Sequence, residues 1–214
     1  MKLISISVYG KKPMYVHGAL LNIPLMKRYY PGWTLRVYHS MEAPVKALRE
    51  AGGIQLINMG RSLEHSGMFW RFLPAWEEDV ERVIFRDSDS RLNPREAAAV
   101  KEWEDSGKVA HCMHDHPHHA CLPLFGGMWG IIPGHLDRES LHRLRKAFQY
   151  PQARGADMTW LTRWILPQIQ TSLMRHSSQK VRWPGALPFP PHEEYKGFVG
   201  QQHDDNGKPI NPKT

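Results

Sequence analysis

Three features of the sequence predict an α/β fold, a single domain built on a mostly parallel sheet flanked by helices. Strand-like apolar runs alternate with helical stretches in β-α-β-α-β order over residues 3–58. The 214 residues are 41% hydrophobic and include 8 Trp, 7 Tyr and 7 Phe, enough to bury one sizeable core without disulfides or a structural metal. No internal repeat or linker divides the chain, which predicts one domain over residues 1–201 and a loose tail over 202–214.

The elements follow in order. Residues 3–8 place Leu, Ile, Ile and Val around two serines and read as a strand, closed by Tyr9-Gly10 and a Lys11-Lys12-Pro13 loop. A helix is predicted over 18–30, with Pro24 as a kink, ending at Pro31-Gly32. Residues 33–39 alternate as a second strand, 44–51 form a short helix stopped by Gly52-Gly53, and 54–58 form a third strand. Residues 68–78 read as a helix. A short buried strand over 82–86 runs into Asp87-Ser88-Asp89-Ser90. The next helix carries Asn93 as cap, Pro94 in the first turn, Glu96 at the capping-box position and Gly107 past its end. Strands over 109–113 and 128–132 and helices over 138–147 and 157–166 complete the prediction.

Composition narrows the classes of function. No apolar run reaches the roughly 18–20 residues of a membrane-spanning helix, and the first residues alternate without a small-residue cleavage site. Cys112 and Cys121, the only cysteines, lack framework spacing, so a soluble protein of the reducing cytoplasm is expected. The formal net charge of +7 is uneven, at +6 over residues 1–60, −3 over 61–110 and +4 over 111–214. Two basic flanks around an acidic middle suit an anionic ligand or a nucleic acid, and equally an ordinary charged surface.

In an open α/β sheet, ligands bind beyond the carboxyl ends of the strands, where Asp87 and Asp89 lie. Two residues apart in an extended segment, they leave the chain on one side and can share a divalent cation; carboxylate oxygens favour Mg²⁺ or Mn²⁺. Arg86 and Arg91 flank the pair and add charge for an anionic ligand. The competing reading is a polar turn that leads into the Asn93 cap.

Phe85-Arg86-Asp87-Ser88-Asp89-Ser90-Arg91-Leu92, after a βαβ half, resembles the metal-binding motif of nucleotide-sugar-dependent glycosyltransferases of the GT-A fold. Further segments resemble a family of small GT-A-like proteins, in order along residues 3–200. They are Tyr30-Pro31-Gly32-Trp33 with Arg36-Val37-Tyr38, Phe69-Trp70-Arg71-Phe72, Ala99-Val100 with Trp103, Asp115-His116-Pro117, Gly126-Gly127-Met128-Trp129-Gly130 and Phe198-Val199-Gly200-Gln201. The resemblance implies a GT-A-like domain in which the Tyr9 loop receives the nucleotide base and Asp87 and Asp89 hold Mn²⁺ or Mg²⁺ against the diphosphate. It also implies Arg71 as a phosphate or ribose contact, although a salt bridge to the acidic run 77–81 is an equal use for that residue. Gly127 and Trp129 would lie at the donor sugar. Asp115 would meet sugar or acceptor hydroxyls, which a carboxylate accepts in pairs. Asp157, in Asp-Met-Thr-Trp-Leu, resembles an acid near the transferred sugar, with Met158 in place of the family's glutamine. His176 resembles a late third metal ligand, with His203 as its competitor; Ser177 and His114 depart from the family's residues.

Five of the 13 histidines fall within 111–119, a zinc-like composition without finger spacing. The function these residues and the resemblance imply is metal-dependent transfer of a sugar from a nucleoside diphosphate sugar, a UDP-sugar in the first instance, to a hydroxyl acceptor. A hydroxymethylated base in DNA is one such acceptor, suggested by the basic flanks. The alternatives are a metal-dependent phosphohydrolase or nuclease and a non-catalytic nucleic-acid-binding domain.

Overall fold

In a computed structural model that describes residues 1–179, 183 and 185–210, seven strands form one sheet in the order β3-β2-β1-β4-β6-β5-β7. β1 (Lys2–Val8), β2 (Trp33–His39), β3 (Gln55–Asn58) and β4 (Arg82–Phe85) are mutually parallel. β6 (Trp129–Ile131) runs antiparallel between β4 and β5 (Ala110–His114), and β7 (Leu173–Ser177) adds to β5 in parallel at the far edge. The single α/β domain and the mostly parallel sheet agree with the sequence reading.

The strands form because both faces are covered. β1 is buried along almost its whole length, and Ile4 and Ile6 face one apolar cluster while Leu3 faces another. One cluster gathers α1 (Pro13–Tyr29), α2 (Lys46–Ala51) and α3 (Pro94–Asp105) on one side of the sheet. The other holds Phe69, Phe72, Phe85, Trp129 and Trp160, with rings edge-on, tilted or stacked at 4.5–6.4 Å between centroids. Aromatic packing of this kind adds to the area buried.

Four elements differ from the sequence reading. α1 begins at Pro13 rather than residue 18, because a proline whose N–H is missing suits the first turn of a helix; Pro24 lies inside it. The helix expected over 68–78 is a 3₁₀ segment, Ser66–Trp76, with Pro74 near its end. The helix expected over 157–166 is broken into α5 (Ala156–Trp160), a π turn (Leu161–Ile165) and α6 (Leu166–Ile169). A proline at 167 removes a backbone donor one turn on, which fits the break. β7 was not anticipated, and its alternation of half-buried and buried residues is short. α4 (Arg138–Ala147) and the Asn93 cap, whose side chain accepts from the Glu96 N–H at 3.0 Å, match the prediction. Residues 202–210, expected as part of a loose tail, fold back: Ile210 donates to the Gln202 carbonyl at 2.8 Å and Asp204 to that of Lys208 at 2.9 Å. Residues 211–214 of that expected tail lie outside the described residues. No helix among the described residues is long and apolar enough to cross a membrane.

One buried ion pair ties α3 to the sheet. Arg86 Nε donates to Glu96 at 3.0 Å, with both side chains 2% exposed, and Tyr30 donates to the other carboxylate oxygen at 3.2 Å. Removing one member leaves the other charge buried and alone, so Glu96→Ala is expected to cost about 3–5 kcal/mol in urea unfolding. The double substitution Arg86→Met with Glu96→Leu is expected to recover most of that loss, since it removes both charges together.

Candidate functional site

At the carboxyl ends of β1 and β4 a cleft of about 340 Å³ opens between Tyr9, the 87–89 turn, Gly126-Gly127 and Asp157. A larger depression, about 690 Å³, lies at the opposite pole against Lys2, Trp33 and Arg82, which begin their strands. The smaller cleft gathers the charged groups at the end of the sheet where α/β folds bind ligands, and it is the candidate site.

The acidic turn is held from below by α1. Gly18 faces the Ser88 carbonyl so closely that a Cβ there would collide with it. One turn further on, Asn22 donates to the Ser90 carbonyl at 2.9 Å and accepts from the Leu92 N–H at 2.9 Å. The loop also closes on itself, with Ser90 Oγ donating to the Asp87 carbonyl at 2.9 Å. Asp87 and Asp89 therefore stand on a fixed backbone, and both line the cleft.

Arg71 is the hub. The two serines of β1 bind its 3₁₀ segment to the sheet: Ser5 Oγ donates to the Arg71 carbonyl at 2.7 Å, and Ser7 Oγ accepts from the Arg71 N–H at 3.0 Å. The buried guanidinium then reaches two acids, donating through Nη1 to Asp87 and through Nη2 to Asp157 at 2.8 Å. Burial opposes the charge on Arg71, but Asp87 and Asp157 outweigh it and hold the group further toward protonation than usual. Asp157, buried at the start of α5, is shifted upward because burial exceeds the help from Arg71. Gly126 and Gly127 form the facing wall. A Cβ on Gly126 would enter Asp157 and Arg71, and one on Gly127 would enter the Asp87 carboxylate. Space, rather than an unusual backbone angle, requires glycine here.

Asp89 is less well compensated. Its Oδ2 accepts from Gln202 Nε2 at 2.8 Å, yet burial and then the neighbouring Asp87 push its pKa up to about 6. Tyr9 stands at the cleft beside Tyr15, with rings stacked at 6.4 Å between centroids, and burial raises its hydroxyl to about 12.

Of the predicted site residues, Tyr9, Arg71, Asp87, Asp89, Gly127 and Asp157 line the cleft together. The others lie elsewhere. Arg86 is consumed by Glu96 and by the Phe85 carbonyl at 2.8 Å, below the site. Trp129 is fully buried against Phe85 in the core, because β6 turns that side chain inward. Arg91 donates to its neighbour's carbonyl on Ser90 at 3.0 Å and is not part of the cleft wall. Asp115 is closed off by a bidentate pair with Arg95, at 2.7 and 2.8 Å, and by the Val199 N–H at 3.0 Å. His176 lies inside β7, bonded to His111 at 2.8 Å and to Glu102 at 3.2 Å, so it does not complete a ligand set with Asp87 and Asp89. His203 touches the site only through its backbone, donating to the Asp89 carbonyl at 2.9 Å. His114 is buried against the Leu122 carbonyl at 3.1 Å. Among the described residues no three His, Cys, Asp or Glu side chains gather to hold a metal, which also leaves the zinc reading of the 111–119 stretch without a site.

The cleft contains residues that sequence reasoning missed: Ser7, Tyr15, His119, Arg154 and Gln202. Arg154 precedes Gly155, whose φ of 80° lets the chain turn into α5, and that Arg-Gly step before Asp157 was the available signal. Gln202 had none, since its segment has no periodicity.

No family model matches the chain, and no curated protein matches it. Solved structures do resemble it. The 4-diphosphocytidyl-2C-methyl-D-erythritol synthase of Anaerococcus prevotii superposes with a TM-score of 0.51 at 8% identity, over 85% of this chain and 90% of that one. The mannosyltransferase PcManGT of Pyrobaculum calidifontis, solved with GDP-Man and Mn²⁺, gives a TM-score of 0.46 at 19% identity over 67% of this chain. The match spans only 46% of that mannosyltransferase. The galactosyltransferase LgtC, solved with donor and acceptor sugar analogs, gives 0.45 at 10% identity over 82% of this chain and 73% of that one. At 8% identity the likeness to the synthase is one of fold alone.

Two consequences are measurable without a ligand. A carboxyl whose folded pKa is raised from 3.8 to about 6 favours the folded state while protonated, and that contribution is lost as pH rises through about 6. Asp89→Asn, which keeps an acceptor for Gln202, is therefore expected to raise the melting temperature by a few degrees at pH 8 in chelator, with the gain vanishing near pH 4. Gly18→Ala is expected to cost about 1–3 kcal/mol, because the Ser88 carbonyl has nowhere to retreat; thermal unfolding checks it.

Proposed function

We propose that the cleft binds a nucleoside diphosphate sugar with a divalent cation and transfers the sugar to a hydroxyl acceptor. The observation that carries this reading is the convergence of Asp87, Asp89, Asp157 and the buried Arg71 on one glycine-walled cleft at the carboxyl ends of β1 and β4.

Each group has a task that its surroundings support. Asp87 and Asp89 would hold Mg²⁺ or Mn²⁺, which commonly bind one or two carboxylates and complete their coordination with water and substrate phosphates. The donor set fits: both acids are hard oxygen ligands on a braced turn, and a cation would relieve the strain of ionising Asp89 beside Asp87. When bound, the ion supplies charge stabilisation for a diphosphate leaving group. Arg71 places a fixed positive charge beside the same phosphates without reorganising, since Ser5, Ser7, Asp87 and Asp157 already hold it. Tyr9, with Tyr15 stacked beside it, offers an aromatic surface to the base, for which uridine is the first candidate. Gly126 and Gly127 leave room for the Asp157, Arg71 and Asp87 side chains at the wall where the sugar would lie. Asp157 lies where a carboxylate can steady positive charge developing on the sugar, and Arg71 fixes its orientation.

The alternatives fit less well. A two-metal hydrolase needs several acids converging on its ions, and among the described residues no three His, Cys, Asp or Glu side chains gather in that way. A purely nucleic-acid-binding surface would not concentrate three acids in its main cleft.

The decisive measurement is UDP and UDP-sugar binding by calorimetry with and without Mn²⁺, with donor hydrolysis followed across UDP-, GDP- and CMP-sugars. Binding is expected to require Mn²⁺ and to weaken at least about 10-fold in Asp89→Asn, the same variant that stabilises the free protein. Equal binding by wild type and variant in Mn²⁺ refutes the assignment. Adding hydroxymethylated DNA as an acceptor tests the acceptor suggested by the +6 and +4 flanks: transfer to it supports that acceptor, and turnover to water alone removes it.

A further inference from the structure

The stretch after β5 carries the densest group of histidines in the chain, and only part of it faces the cleft. Pro117–Ala120 is a short 3₁₀ turn whose start is capped by His116, the ring accepting from the His118 N–H at 3.3 Å. The turn brings His119 inward until it is 9% exposed, against Phe125 and Phe198 at ring-centroid distances of 5.2 and 5.7 Å. His119 and Phe125 both line the cleft.

The tautomer of His119 is fixed by one contact. Its Nδ1 accepts from the Asp115 backbone N–H at 3.2 Å, so the ring proton resides on Nε2. Nε2 makes no hydrogen bond to the described residues and is not among their sealed, unpartnered polar atoms, which leaves its N–H open to a molecule in the cleft that His119 lines. The Asp115 backbone cannot drift, because the Asp115 side chain is clamped by Arg95 and the Val199 N–H. Burial, and then the neighbouring His116, lowers the His119 pKa to about 4, so the ring stays neutral in ordinary buffers. A neutral donor beside an aromatic face suits an uncharged, hydroxyl-bearing ring better than a carboxylate or phosphate.

We propose that His119 and Phe125 form a saccharide subsite in which the His119 Nε2–H donates to a ring hydroxyl and Phe125 packs beside the sugar. The subsite rests on the nucleotide-sugar reading for its place in a reaction, and it moves the hydroxyl-binding role expected of Asp115 to the histidine that Asp115 positions.

The test uses the full chain labelled with ¹⁵N in the histidine rings, with the His119 signals assigned by their loss in His119→Gln. Wild type is expected to show a protonated Nε2, an unprotonated Nδ1 and no titration between pH 5.5 and pH 8, a range that starts ~1.5 units above the folded pKa of about 4. In Mg²⁺, the Nε2–H signal is expected to shift saturably with UDP-glucose or UDP-galactose if the subsite holds the donor sugar. A shift with free glucose or galactose instead assigns it to the acceptor. UDP alone is expected to leave that signal in place. His119→Phe is expected to weaken the responding ligand about 10-fold, and His119→Gln, which restores an N–H near Nε2, to weaken it less.

A proton on Nδ1, or a ring that titrates near 6.5, overturns the proposal. So does the absence of a saturable shift with every sugar-bearing probe while UDP still binds. Failure of UDP itself to bind, with the free sugars still shifting His119, counts against the nucleotide reading and leaves the subsite supported; failure of both UDP and the free sugars overturns both.

Discussion

A buried guanidinium between two carboxylates is the constraint on which the site depends. Asp87, about half exposed, and Asp157, buried, both reach the same point at the end of the sheet, and two like charges so placed repel. Arg71 resolves the conflict by donating to both. To do so it must itself be held, and the two serines of β1 hold its backbone from the adjacent strand. The polar positions in an otherwise apolar strand are thus explained by the segment that crosses its end.

The same constraint orders the surrounding residues by size. Glycine is needed wherever backbone meets these charges: Gly18 under the acidic turn, and Gly126 and Gly127 across from it. Asp89 is the one member left without a strong cationic partner, and its upward shift is the energetic trace of that arrangement. A protein selected for stability alone would not place an acid there; sites that bind cations or anionic ligands regularly accept such a cost.

Much of the fold was legible because local signals agreed with one another. The β1–β3 half has clear alternation and glycine stops, and α3 has a cap, a first-turn proline and a terminal glycine. The acidic turn was legible as part of a candidate site because it follows a buried strand in a parallel sheet. What escaped was set by long-range contacts. Nothing near Trp129 tells that β6 inserts antiparallel and turns its indole into the core, or that Asp115 meets Arg95 from the preceding helix. His176 reads as a free ligand in sequence, yet β7 pairs with β5 and places it against His111. Gln202 lies 113 residues from the acid it bonds.

That last separation has a bearing on how the chain matures as it leaves the ribosome. The β1-β2-β3 ladder pairs within the first 58 residues and can assemble early, with β4 joining β1 from residue 82 onward. The acidic turn emerges soon afterwards, but the amide that covers Asp89 arrives only after more than half of the chain has followed. Until residue 202 is made, the molecule therefore presents a nearly finished sheet with its charged rim uncapped, and closure of the rim follows the pairing of β7 with β5.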